Sequence, residues 1–316
     1  MKILFTADWH IKLGQKNVPK EWQKARYLEL FKRLETLQSS ADIMVIGGDI
    51  FDKMPSLEEL SLFFSFLGYV NLTTFIFDGN HEATKKGKTF LSELTNIAAT
   101  ANSSVHILTD NFKYENVDFI PYTNIKNFNP DNFTGNILCT HVRGDIPPHV
   151  KAEIDLSKLD RWDVVLAGDL HAYSNSQRNI LYPGSPLSTS FHRNPITNGV
   201  ILFDTETLEH EWIDLKLPQL IRKKVELEEE MVQTNPDHTV YELVGNVKTL
   251  STVDTSNELL DKKIVDKNEA TSLSFKGKSI GEEIRYYIEH ILKIEGETLD
   301  MIMESYYDTI REDDLE

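Results

Sequence analysis

A single cysteine, Cys139, occurs among the 316 residues, so no intrachain disulfide can brace the fold. It sits in the apolar run Asn136-Ile137-Leu138-Cys139-Thr140, where a small buried hydrophobe is expected rather than a reactive thiol. No run of 18 apolar residues appears, and the apolar opening from Met1 to Ala7 is interrupted by Asp8 and His10, too soon for a signal peptide. The expectation is a soluble, cytoplasmic protein without membrane contact. Internal repeats, low-complexity tracts and glycine-rich linkers are missing as well. Positive charge is scarce: 33 Lys and Arg face 50 Asp and Glu, a net charge of -17. That balance argues against binding of nucleic acid through a broad basic surface. It does not exclude a nucleic-acid enzyme, because a carboxylate-rich metal site is negative before its cations arrive and a partner can supply basic surface.

Apolar material is ample, at 40% hydrophobic and 26% charged residues, so a real core is expected. The acidic excess is concentrated at the end, where Ser279 to Glu316 carries 3 basic and 12 acidic residues, net -9. Over the first two thirds, short apolar runs alternate with helical patterns, the mark of an α/β architecture. Lys2 to Ala7, Asp42 to Ile46 and Thr73 to Phe77 read as strands, followed by Val105 to Leu108, Phe119 to Tyr122, Ile137 to Thr140, Val164 to Ala167, Ile180 to Tyr182 and Val200 to Phe203. Glu21 to Gln38 reads as a helix with Tyr27, Leu30, Phe31, Leu34 and Leu37 on one face, and Ser56 to Leu67 as another. The rhythm loosens at Leu217-Pro218, which gives a boundary there, and Thr239 to Val244 is a further strand. The expected divisions are 1–217, 218–278 and an acidic helical tail, 279–316. The tail has two amphipathic halves, Ile280-Ile284-Ile288-Ile291 and Leu299-Met303-Tyr306-Ile310. They suit packing on the protein's own core or docking to a partner.

Five strand ends share one feature, a polar cluster directly after an apolar run: Asp8-Trp9-His10, Gly47-Gly48-Asp49, Gly79-Asn80-His81, Thr140-His141 and Gly168-Asp169-Leu170-His171. In an open α/β sheet the loops at the carboxyl ends of the strands converge on one crevice, so these side chains are expected to meet. Carboxylate, imidazole and amide oxygen together suit Mn²⁺, Zn²⁺ or Fe²⁺, and one carboxylate can bridge two ions. Gly47-Gly48-Asp49 alone is a common strand-to-loop turn, as is Gly79-Asn80-His81. Five such clusters in this order point to a two-metal site that cleaves phosphoesters.

Asp-x-His, Gly-Gly-Asp, Gly-Asn-His and the later histidines, in this order, resemble the calcineurin-like metallophosphoesterases over roughly residues 1 to 205. The resemblance implies a four-layer αββα sandwich with a small α+β C-terminal capping domain. It implies Asp8, His10 and His171 as ligands of one ion, Asn80, His141 and Asp169 as ligands of the other, and Asp49 as the bridge. His81 resembles the family's non-ligand histidine that acts on the leaving oxygen. The family usually has Gly-His-x-His where this chain has Gly168-Asp169-Leu170-His171, and aspartate there leans the site towards Mn²⁺ or Mg²⁺.

Gly48-Asp49-Ile50-Phe51-Asp52 and Tyr182-Pro183-Gly184-Ser185-Pro186-Leu187-Ser188-Thr189-Ser190-Phe191 further resemble the SbcD-type nucleases, and the short length resembles the recombination endonuclease small subunits of tailed phages. That likeness implies a Mn²⁺-dependent DNA exonuclease and single-strand endonuclease working with an SMC-like ATPase of SbcC type in DNA end processing, recombination or repair. It implies a DNA-positioning role for the capping segment and partner docking for the tail; a second copy of the chain is a further partner considered. Ser185, His192 and Arg193, in or just past the Tyr-Pro-Gly-Ser stretch, are candidate substrate contacts. A phosphatase, a cyclic-nucleotide phosphodiesterase and a catalytically silent scaffold are the alternatives. His106, His149, His192, His210, His238 and His290 match no motif and are expected on the surface or in loops. Asp52 suits either orienting a ligand or capping a helix before Pro55.

Overall fold

The computed structural model describes residues 1–84, 89–265 and 279–313, with side chains to residue 308. Residues 266–278 of the expected capping segment, the last three residues of the tail and the side chain of Ile310 lie outside the described residues.

The chain builds two sheets in succession. β1 (Lys2–Thr6), β2 (Ile43–Gly47), β3 (Thr74–Phe77) and β4 (Val105–Leu108) run parallel. β5 (Phe112–Tyr114) then pairs antiparallel with β6 (Val117–Ile120), and β7 (Ile137–His141), β8 (Val164–Gly168) and β9 (Ile180–Leu181) follow in parallel. The chain returns to the first sheet as β10 (Gly199–Asp204) and β11 (His210–Asp214), giving the orders β11-β10-β1-β2-β3-β4 and β5-β6-β7-β8-β9. β6 begins two residues before the expected Phe119 and stops at Ile120, because Pro121 lacks the N–H a ladder needs and instead precedes the short helix α4 (Tyr122–Ile125).

Strand alternation sorts the core into layers. Ile3, Phe5, Val45, Phe75, Phe77 and Phe203 of the first sheet meet Val117, Phe119, Ile137, Cys139 and Leu166 of the second. The other face of the first sheet, with Leu4, Met44, Ile46 and Ile76, packs under Tyr27, Leu30, Phe31 and Leu34 of α1 (Lys20–Gln38) and Leu62, Phe63 and Phe66 of α2 (Leu57–Leu67), with Ala98 of α3 (Thr95–Ala101). Ser56 and Glu59 form the capping box that starts α2, so Asp52 is not the cap there. The far face of the second sheet, Leu138, Val165 and Ala167, is covered by α4 and short 3₁₀ turns around Leu156, Leu159 and Trp162. The result is the α/β/β/α layering, with one outer layer reduced to short helical turns.

A third sheet holds β12 (Leu220–Val225), β13 (His238–Gly245) and β14 (Leu260–Val265), the first two parallel, and α5 (Val247–Thr252) follows β13. The chain divides into two compact units, Met1–Leu243 with Asp254–Lys262, and Val244–Val253 with Lys263–Glu316. Pro218 lies within the first unit, between β11 and β12. His238 corrects the expectation of an exposed histidine: it is buried in β13, where its Nε2–H donates to the carbonyl oxygen of Asn17 at 2.6 Å. In the second unit, α6 (Ile280–His290) and α7 (Glu297–Asp313) pack on each other through Ile284, Ile288, Leu299, Met303 and Tyr306. Among the described residues no helix is long and apolar enough to cross a membrane.

Candidate metal centre

Past the end of the first sheet, the loops after β1 and β2 remain zipped: Asp8 N–H donates to Gly48 O, His10 N–H to Asp49 O and Ile11 N–H to Ile50 O. This forces Asp8 (φ 57°), His10 (φ 46°) and Asp49 (φ 51°) into the left-handed region, and Asp169 (φ 101°) joins them at the end of β8. Four of the ten non-glycine residues with positive φ, among the described residues, are thus expected site residues. Such strain persists only where the surroundings over-determine it. Glycine is required where loops touch: a Cβ on Gly79 would stand 2.1 Å from Asp49 Oδ1, and one on Gly168 2.4 Å from Gly47 O.

The side chains converge on Asp49. Its Oδ2 lies 3.7 Å from His10 Nε2, 3.8 Å from His81 Nε2 and 3.6 Å from His141 Nε2. His10 Nε2 stands 3.0 Å from His171 Nε2, and three overlapping groups are able to hold an ion: Asp8, His10 and His171; His10, Asp49 and His81; and Asp8, Asp49 and His141. His141 Nδ1–H donates to Gly47 O at 2.8 Å, which leaves Nε2 facing Asn80 at 3.2 Å. Of the expected ligands, Asp8, His10, Asp49 and His141 are almost wholly buried.

The electrostatics fit a cation. Burial pushes Asp8 up to about 8, with Asp49 adding to the rise, and His141 is held up at about 9 by Asp49, Asp8 and Asp169 against its own burial. Burial and the neighbouring histidines drive His10 down to about 2. The same pocket therefore asks for positive charge and keeps one imidazole neutral. The carboxamide atom of Asn80 nearest Asp49 lies 2.8 and 3.1 Å from the two carboxylate oxygens. An amide nitrogen there would donate to Asp49; an oxygen there is repelled unless a cation lies between them, and that is the orientation a ligand needs. The donor set suits hard or borderline divalent ions.

A scan against family models matches the calcineurin-like phosphoesterase over residues 1–180. The chain belongs to that family. It is 41% identical, over 96% of its own length and 97% of the relative's, to the probable exonuclease subunit 1 of Escherichia phage T5. It is 28% identical, over 64% of its length and 75% of the relative's, to the putative phosphoesterase 244L of Invertebrate iridescent virus 6. The solved structure of TT1561 of Thermus thermophilus aligns over 68% of this chain and 99% of its own at 13% identity and a TM-score of 0.42.

In this metal-dependent phosphoesterase, three residues that carry the geometry escaped sequence reasoning or were left open. Glu82 is fully buried, and its carboxylate accepts from the backbone N–H groups of Asp49 (3.0 Å), Gly79 (2.8 Å) and Phe51 (2.8 Å). Burial, then Asp49, pushes it up to about 8. Asp52 stands between two histidines, its Oδ1 3.8 Å from His10 Nδ1 and its carbonyl oxygen 2.6 Å from His81 Nδ1, and Lys12 pairs with Oδ2 at 2.9 Å. Arg143 grips both oxygens of Asp169, Nε to Oδ2 at 2.9 Å and Nη2 to Oδ1 at 3.1 Å, and Asp169 Oδ1 is 3.8 Å from His141 Nε2. Glu82 directly follows Gly-Asn-His and Arg143 lies two residues after His141, but neither position has a pattern that announces its partner.

The candidate substrate contacts separate. Ser185 is buried with its hydroxyl 2.7 Å from Asp8 O and 2.6 Å from Leu187 O, bracing the Asp8 loop. Ser185, His171, Thr189, Ser190, His192 and Asn198 line a cleft of about 520 Å³ that opens beside the metal ligands. Arg193 points elsewhere, pairing with the buried Glu242 of β13 at 3.2 Å.

Proposed function

We propose that this phosphoesterase is a DNA nuclease subunit that hydrolyses phosphodiester bonds with two divalent cations, Mn²⁺ before Mg²⁺. The convergence of His10 and His141, proposed ligands of different ions, on one Asp49 oxygen carries the reading, since one carboxylate shared by nitrogen donors of both sets suits a bridging ligand. Asp8, His10 and His171 would hold one ion, Asn80, His141 and Asp169 the other, and Asp49 both. Divalent cations there supply Lewis-acid neutralisation of phosphate charge and a nucleophile near neutral pH. The chain's own part is to hold these donors rigid, to exclude water from the buried carboxylates and to move a proton at His81. With His81 Nδ1–H bound to Asp52 O, Nε2 is the nitrogen that meets the leaving oxygen.

DNA as substrate and a partner subunit are supported by the 41% identity with a phage exonuclease subunit. We assign the partner as an SMC-like ATPase, residues 218–278 as a DNA-positioning segment and the acidic α6–α7 hairpin as the docking element. Tyr287, Ile291, Leu292 and Met301 are exposed on that hairpin. Incubating labelled linear duplex and single-stranded DNA with Mn²⁺, with and without chelator, tests the assignment. Chelator-sensitive release of nucleotides is the expected result. Intact DNA alongside hydrolysis of small phosphomonoesters would reassign the chain as a phosphatase.

A further inference from the structure

The position where the family usually has histidine is filled here by a carboxylate already gripped by an arginine. Asp169 is held at φ 101° with its side chain 4% exposed, and its two oxygens receive Nε and Nη2 of Arg143. A guanidinium has five N–H donors in a fixed plane, and a bidentate carboxylate takes two of them along one edge. Three donors remain on a side chain that is 40% exposed. Glu153, the other carboxylate that feels Arg143, is taken up by Lys126 at 2.8 Å and Tyr122 at 2.6 Å. The charge is also anchored: Asp169 ties the guanidinium to a carboxylate whose Oδ1 lies 3.8 Å from His141 Nε2. In a chain of net charge -17, this places a half-exposed cation next to the carboxylate-rich centre.

We propose that Arg143, aligned by Asp169, binds a non-bridging oxygen of the substrate phosphate through its free guanidinium edge. Asp169 then has two tasks, facing the second ion on one side and orienting Arg143 on the other. The inference rests on the phosphodiesterase reading but not on DNA being the substrate. Planar, two-point recognition of phosphate is what distinguishes arginine from lysine in such a position.

The test uses the full Mn²⁺-loaded chain and its Arg143→Ala, Arg143→Gln and Arg143→Lys variants. Inorganic phosphate affinity is measured by calorimetry, bound Mn²⁺ by mass spectrometry, and kcat and KM on bis(p-nitrophenyl) phosphate. Arg143→Ala and Arg143→Gln should weaken phosphate binding about tenfold or more and raise KM more than they lower kcat, with bound Mn²⁺ unchanged. Arg143→Lys should recover part of the affinity. Phosphate affinity equal to that of the parent, or a loss of Mn²⁺ that accounts for the loss of phosphate, overturns the inference. Should the parent hydrolyse the small diester yet leave DNA intact, the nuclease reading fails while phosphate binding still decides the role of Arg143.

Discussion

His81 presents two nitrogens to two different neighbours: Nδ1 lies 2.6 Å from the carbonyl oxygen of Asp52, and Nε2 lies 3.8 Å from Oδ2 of Asp49. At 37% exposure this side chain is far more open than the buried histidines His10 and His141. Replacing it with Ala or Ser should leave bound metal near the parent level while cleavage falls by ~10² to 10⁴, the usual worth of a general acid or base. Metal content of the purified variant decides the role. Loss of both ions would make His81 a ligand instead.

Asp49→Ala should be more damaging, because it removes the one carboxylate that faces three histidines. The variant should bind less metal and cleave neither DNA nor an aryl phosphodiester. Near-normal turnover would sink the shared-ligand arrangement.

Glu82 holds the metal loops together from beneath. Glu82→Ala strands the buried N–H groups of Asp49, Gly79 and Phe51, so a stability loss of about 2–4 kcal/mol is expected, at roughly 1–3 kcal/mol for each unpaired donor with partial rescue by water. Urea unfolding measures it. A variant as stable as the parent would show that the loops hold their conformation without this carboxylate.

Metal binding should strengthen as pH rises. Asp8, raised from 3.8 to about 8, and His141, raised from 6.5 to about 9, both favour their protonated forms in the metal-free fold. Their contribution to metal-free stability is complete below the ordinary values and is lost as pH passes about 8 and about 9. Ligation requires both deprotonated, so each proton displaced should raise apparent Mn²⁺ affinity by up to about tenfold per pH unit between roughly pH 6 and 8. The gain in Tm on adding Mn²⁺ should be larger at about pH 9 than at about pH 6. An affinity flat across that range would contradict the charge balance described for the pocket.

The strands that carry the proposed ligands were legible because they are central: β1, β2, β3, β7 and β8 are apolar runs broken by glycine or a polar cluster at their carboxyl ends. β5, β11, β12 and β14 were not. β11, His-Glu-Trp-Ile-Asp, lies at the edge of its sheet among the described strands, beside β10, and β12 contributes Arg222, Lys223 and Lys224 in a row, so apolar runs are short or missing. Every expected ligand lies in or beside the Asp49 cluster, since each motif joins chemistry to a strand end. Glu82 reaches Asp49 and Phe51, 33 and 31 residues away, and Arg143 reaches Asp169, 26 residues away, across turns that local patterns do not describe.

Removing Ser279 to Glu316 should leave metal-dependent cleavage intact, since all proposed ligands precede residue 172, and should weaken or abolish binding to the proposed ATPase partner. Melting temperature and co-purification belong in one experiment on the truncated chain. A folded truncation that binds the partner as tightly as the full chain would refute docking by the acidic hairpin.

A calorimetric Mn²⁺ titration of the metal-stripped full chain near pH 8 counts the cations held around Asp49. Two ions per chain in the parent, with binding at both positions weakened by Asp49→Ala, is the predicted result. Saturation at one ion, or two ions unaffected by loss of Asp49, would contradict it.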